Sequence, residues 1–198
     1  MFIDYLTLLL VNMAAGMFVL ACYFLSRDDA AGAKRFAAPF AAVALVALVG
    51  GFHMVFHWPL PGAYNLIFGE TTVLLGAFFA AAALAVAREW DLTPLGVYSL
   101  FAGAAAIVFG ARIANLGLTV TPKFTALGFL LSGAAGVLAL PAFHCRTQRG
   151  LRAVTAVILI AASLMWAFVG GMGIWGHLGA DNFKHWKPPT MQAPPQTK

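Results

Sequence analysis

The chain has 198 residues, 62% of them hydrophobic and only 10% charged, with a mean hydropathy of +0.86. Soluble domains carry about a quarter charged residues, so this composition excludes a water-soluble globule and makes lipid the solvent. The net charge of +5 and pI near 9.6 do not point to nucleic acid, because Arg and Lys are scattered through short segments between apolar runs, where they act as topology signals.

About 20 apolar residues are needed to cross the hydrocarbon core, which leaves room for six spans and no separate soluble domain. The apolar runs are Phe2 to Ser26, Ala37 to Trp58, Asn65 to Arg88, Pro94 to Leu116, Phe124 to Cys145 and Ala153 to Leu178. All are expected to be helices, since lipid offers backbone groups no partner outside the segment and the alternation of a membrane strand is absent. The opening Met1-Phe2-Ile3-Asp4-Tyr5 lacks a basic signal region, so the first span is expected to remain uncleaved. The fold class is therefore an all-α, six-helix integral membrane bundle over residues 1–180. A Pro-rich extended or disordered tail is expected at 181–198, carrying Pro188-Pro189 and Pro194-Pro195.

The breaks carry helix punctuation: Arg27-Asp28-Asp29, the Pro59/Pro61/Gly62 turn, Asp91 to Pro94 with Thr93 as N-cap, Thr121-Pro122-Lys123, and Arg146 to Arg152. Arg27, Lys34, Arg35, Arg88, Arg146, Arg149 and Arg152 fall in odd-numbered loops, against Lys123 alone in the even ones. The odd loops are thus expected to be cytoplasmic and both termini extracytoplasmic, in a bacterial or archaeal cytoplasmic membrane. Trp58, Trp175 and Trp186 on one side and Trp90 on the other fit the two interfacial belts. Cys22 and Cys145 match no ligand spacing and are expected to stay unpaired. Gly128, Ser132 and Gly136 on the fifth span and Ala102, Ala106 and Gly110 on the fourth recur every fourth position, which predicts close helix approach there.

The polar residues inside the apolar zone gather at one surface. Counting about 1.5 Å of rise per residue, His53, Glu70 and Arg112 fall roughly 6 to 8 Å below the outer boundary. His57, Asn115, His177 and Asp4 lie nearer that boundary, and His144 alone belongs to the other side. Ionisable groups are expensive in a bilayer, so this sidedness is the main functional signal. Three readings compete. His53 and His57, four residues apart and so on one helical face, could join Glu70 or Asp4 around copper, zinc or iron. His53 or His57 could pair with His177 on one b-type haem walled by Phe52, Phe56 and Trp175. Or Glu70 pairs with Arg112 as a structural ion pair while the histidines bond helix ends.

The segment Phe2 to Leu8, Asn12-Met13, the turn from Trp58 to Gly62 with His53 before it, Tyr64-Asn65, Gly69-Glu70, Gly176-His177, Phe183 and Trp186-Lys187-Pro188 together resemble a family of bacterial and archaeal membrane proteins catalogued as domain of unknown function 981. The resemblance spans nearly the whole chain and implies a polytopic membrane protein, with no activity or cofactor attached. The leading expectation is a membrane protein with an outer-leaflet His/Glu site for a metal ion or haem in a redox or accessory role. Next comes a non-catalytic subunit of a larger membrane complex, and third a transporter of small solutes or protons. The lipid bilayer and other membrane subunits are the expected partners.

Overall fold

A computed structural model describes residues 5–26, 30–145 and 147–179, and all regular structure among them is helical. The elements are α1 (Tyr5–Leu25), a short α2 (Ala30–Lys34), α3 (Ala37–His57), a π-helical turn (Asn65–Glu70) running directly into α4 (Thr71–Arg88), α5 (Thr93–Leu116), α6 (Pro122–His144) and α7 (Arg149–His177). Six segments are long and apolar enough to cross a membrane, the third being the π turn plus α4. Their positions follow the apolar runs of the sequence, with α7 beginning four residues before the Ala153 expected. The expectations for Asp4, Trp186 and the tail 181–198 lie outside the described residues.

Helix ends differ from expectation at one point. Thr93 is the first residue of α5 rather than its cap, and the capping acceptor is Asp91, whose Oδ1 receives the Thr93 N–H at 3.1 Å and the Thr93 hydroxyl at 3.0 Å. A carboxylate takes this role well because it also opposes the positive end of the helix dipole.

The short connections make successive spans antiparallel, and their packing closes a ring in the order α1, α3, α4, α5, α6, α7, back to α1. The α5–α6 contact is the most extensive and the α4–α5 contact the sparsest around the ring. One end of the ring carries His53, the 58–64 turn and the link from α5 to α6; the opposite end carries Arg88, His144 and Arg152.

Small residues set these approaches, as expected where lipid removes the hydrophobic drive between helices. A Cβ on Gly103 of α5 would stand 2.6 Å from the Gly133 carbonyl oxygen of α6, and the Ser99 hydroxyl donates to the Gly136 carbonyl at 2.9 Å. The fifth-span stripe predicted from sequence is divided between two neighbours. Gly136 faces α5, whereas a Cβ on Gly128 would lie 2.7 Å from the Trp166 ring of α7. The split follows from ring geometry, in which α6 has a helix on each side.

The first and last spans are tied by polar bonds. Ser163 donates to the Ala14 carbonyl at 2.8 Å. At the opposite end Arg152, only 7% exposed, donates from Nε to the Phe24 carbonyl at 3.0 Å and from a terminal nitrogen to the Ser26 carbonyl at 2.9 Å. These are the carbonyls that the end of α1 leaves without helical partners. A guanidinium there satisfies them and also meets the negative end of the α1 dipole.

Candidate functional site

At the centre of the ring lies a cavity of about 90 Å³, well above what one water needs and on the scale of a few waters or one small solute. Its walls come from α1 (Met13, Met17), α4 (Thr71, Leu75, Phe79), α5 (Ser99, Ala106), α6 (Ser132, Ala135) and α7 (Leu159, Trp166). No Lys, Arg, Asp, Glu or His lines it. The polar atoms are three hydroxyls and one indole N–H, set among Phe, Leu and Met side chains.

Aromatic rings bound this space at both ends. Toward the His53 end, Trp166, Phe129 and Phe68 form a triad: Trp166 meets Phe129 edge-on at 5.3 Å and Phe68 at 6.3 Å, and Phe68 meets Phe129 at 5.5 Å. Toward the Arg152 end, Phe79 packs on Phe40 at 5.4 Å, Phe24 on Phe143 at 5.0 Å, and Tyr23 contacts Phe24, Phe36, Phe40 and Phe143. These geometries are the tilted and edge arrangements that aromatic quadrupoles prefer, and the rings are almost all buried.

The polar atoms of the lining form local bonds. Trp166 Nε1–H donates to Ser132 Oγ at 2.9 Å, and Ser132 donates in turn to the Gly128 carbonyl at 2.8 Å, one turn back on α6. Thr71 donates to the Ile67 carbonyl at 2.6 Å. That carbonyl belongs to the π turn, a wider helical turn that recurs at functional positions. Asn65 anchors its start. Fully buried, it accepts the Leu60 N–H at 2.9 Å and donates to the Leu60 carbonyl, so the 60–65 segment is held against the bundle. Tyr64 accepts the Val120 N–H at 3.1 Å, which joins this segment to the link between α5 and α6.

The residues singled out from sequence do lie at one end of the bundle, with His144 at the other, but they do not converge on the cavity. His53 and His57 come together, rings stacked 4.7 Å apart, with Tyr5 against His53 at 4.8 Å. His53 is half-buried and His57, Glu70, Arg112 and Asn115 are exposed, with His177 half-buried on α7. An ion pair among the described residues joins Lys34 to Glu89 at 2.5 Å, and neither Glu70 nor Arg112 takes part in it. No three His, Cys, Asp or Glu side chains among the described residues are grouped to hold a metal ion, so His53 and His57 gain no third ligand from Glu70. The central cavity has no histidine on its wall, so the haem expectation, set at the outer face beside Phe52, Phe56 and Trp175, has no counterpart there. The π turn accounts for part of the difference. It fits an extra residue into one turn, so Glu70 is rotated away from the face that a regular helix counted from Asn65 would give it.

Sequence reasoning passed over Thr71, Ser99 and Trp166 as functional residues and took Ser132 only as a packing residue. The available signal was polar atoms at mid-span in otherwise apolar helices, away from the interfaces where Trp usually sits.

A closed ring of six membrane-length helices defines a multi-pass helical membrane protein. The chain belongs to the family described as protein of unknown function DUF981, whose model matches residues 1–180. Its fold is similar to that of the Helicobacter pylori urea channel, solved by cryo-electron microscopy in a closed state, with a TM-score of 0.69 and 18% identity over 92% of this chain and 100% of that one. That likeness establishes the fold and not the activity. A search of curated proteins finds no match.

Proposed function

We propose that the protein is a conduit for a small uncharged solute, which crosses the bilayer along the ring axis through the central cavity, and that the present structure is its closed form. One observation carries the reading: the space between α1, α4, α5, α6 and α7 has hydroxyl and aromatic walls, no charged side chain, and an aromatic layer toward each end. A charged solute would lose its hydration there without compensation, whereas a neutral one loses far less. The fold shared with a urea channel supports the same reading. In this proposal the loops bearing Arg88 and Arg152 face the cytoplasm of a bacterial or archaeal cell and both termini face outward.

The test is stopped-flow light scattering on proteoliposomes challenged with urea, formamide or glycerol, beside protein-free vesicles. Faster equilibration of at least one solute, with no ionic current across a planar bilayer, is the expected outcome. Equal rates with and without protein for every solute would remove the conduit reading and favour an accessory subunit of a larger membrane complex.

A further inference from the structure

We infer that the cavity selects its solute by hydrogen-bond polarity, taking small neutral molecules rich in N–H donors, with Thr71 and Ser99 as the residues that receive them. This rests on the conduit reading and adds the chemical class of the cargo.

The inference comes from accounting for each proton on the cavity wall. The Ser99 O–H is bound to the Gly136 carbonyl, the Ser132 O–H to the Gly128 carbonyl, and the Thr71 O–H to the Ile67 carbonyl. The Trp166 N–H is bound to Ser132 Oγ. Every side-chain donor on the wall is therefore already engaged with the protein. A hydroxyl oxygen that donates its one hydrogen still has two acceptor lone pairs. Ser99 and Thr71 keep both, and Ser132 keeps one beside the bond from Trp166. The sulfurs of Met13 and Met17 add only weak acceptors. The wall thus offers free lone pairs, while each of its side-chain donors must give up a bond to the protein, Ser132 one to the Gly128 carbonyl or to Met17 Sδ at 3.5 Å, before it can serve a solute.

Such a wall discriminates between solutes of equal size. A molecule that brings N–H groups replaces its water bonds with a bond to Thr71 and, further along the axis, with one to Ser99. A molecule with acceptors alone must either leave them unsatisfied or break one of the wall's own bonds, which is the costly side of the hydrogen-bond balance. Anions are refused twice, for want of a free donor and for want of a positive charge. Cations find lone pairs but no carboxylate among the lining residues, and a lone charge at that depth is expensive. Neutral amides, ureas and ammonia are what remains.

Urea, acetamide and acetone form a matched series, all small, planar and carbonyl-bearing, with N–H donors falling from four to two to none. In proteoliposomes, labelled-urea flux is measured alone and with an excess of acetamide or acetone. The expected result is that acetamide slows urea and acetone does not. Thr71→Val is expected to slow urea about three- to tenfold, the range of one net hydrogen bond, and Thr71→Ser to restore it. Equal competition by acetone and acetamide, or an unchanged urea flux in Thr71→Val, would overturn the polarity inference while leaving the conduit intact. Protein-independent flux of all three solutes would overturn the conduit itself.

Discussion

The indole N–H of Trp166 and the hydroxyl oxygen of Ser132, 34 residues apart in the chain, lie 2.9 Å from each other across the α6–α7 boundary. The bond fixes the ring that closes the cavity toward the His53 end, and Gly128 one turn away leaves room for that ring because it has no side chain.

Gly128→Ala would put a methyl 2.7 Å from the Trp166 ring. It is expected to lower thermal stability in detergent by about 1 to 3 kcal/mol, the usual cost of overpacking. Adding Trp166→Phe should recover much of that loss, because the smaller ring vacates the contested space. A double-mutant cycle checks the coupling; independent, additive losses would count against this contact.

Trp166→Ala removes one of the three rings in the aromatic layer toward the His53 end. If that layer is the barrier, solute flux per folded molecule should rise several-fold even though stability falls by about 3 to 5 kcal/mol, as for other buried aromatic truncations. Flux normalised to correctly folded protein separates the two effects.

Gly103→Ala should be among the most damaging glycine substitutions, since the added Cβ would meet backbone, 2.6 Å from the Gly133 carbonyl oxygen. Backbone cannot rotate aside as a side chain can. Gly171→Ala meets nothing within 4 Å and is expected to leave the melting temperature unchanged, so the pair provides its own control.

Arg152→Met keeps an unbranched apolar stem and removes the donors to the Phe24 and Ser26 carbonyls. A loss of about 2 to 3 kcal/mol is expected, in the range for hydrogen bonds made by a charged group. Arg149→Met, at an exposed position of the same helix end, should cost less than about 0.5 kcal/mol, as surface changes usually do.

Treatment with a strong chelator should leave stability and solute flux unchanged, because His53 and His57 have no third ligand among the described residues. Elemental analysis before and after treatment, with melting curves on both samples, checks this. A chelator-dependent drop in melting temperature would restore a metal site to the His53 end.

The spans and their order were legible in the sequence because bilayer thickness and backbone hydrogen bonding leave little choice once apolar runs of that length are present. The clustering of His53, His57, Glu70 and Arg112 at one end was legible too, since depth follows from counting residues. What they face was not. Facing depends on rotation about each helix axis, and the π turn at Asn65–Glu70 changes that rotation without any sign in composition. Arg152 shows the same limit: it reads as a topology signal, and its burial against the end of α1 appears only when residues 126 and 128 positions apart are brought together. The cavity was hidden for a related reason. Its wall is assembled from residues of five helices, each unremarkable alone: a threonine, two serines and a tryptophan in long apolar runs.

Because α7 is the segment that seals the ring against α1, the compartment has no complete wall until this last of the six spans has been made. Translation intermediates lacking α7 would expose the Ala14, Phe24 and Ser26 carbonyls and the inner face of α1 to lipid. They should therefore stay associated with the insertion machinery until α7 packs against α1.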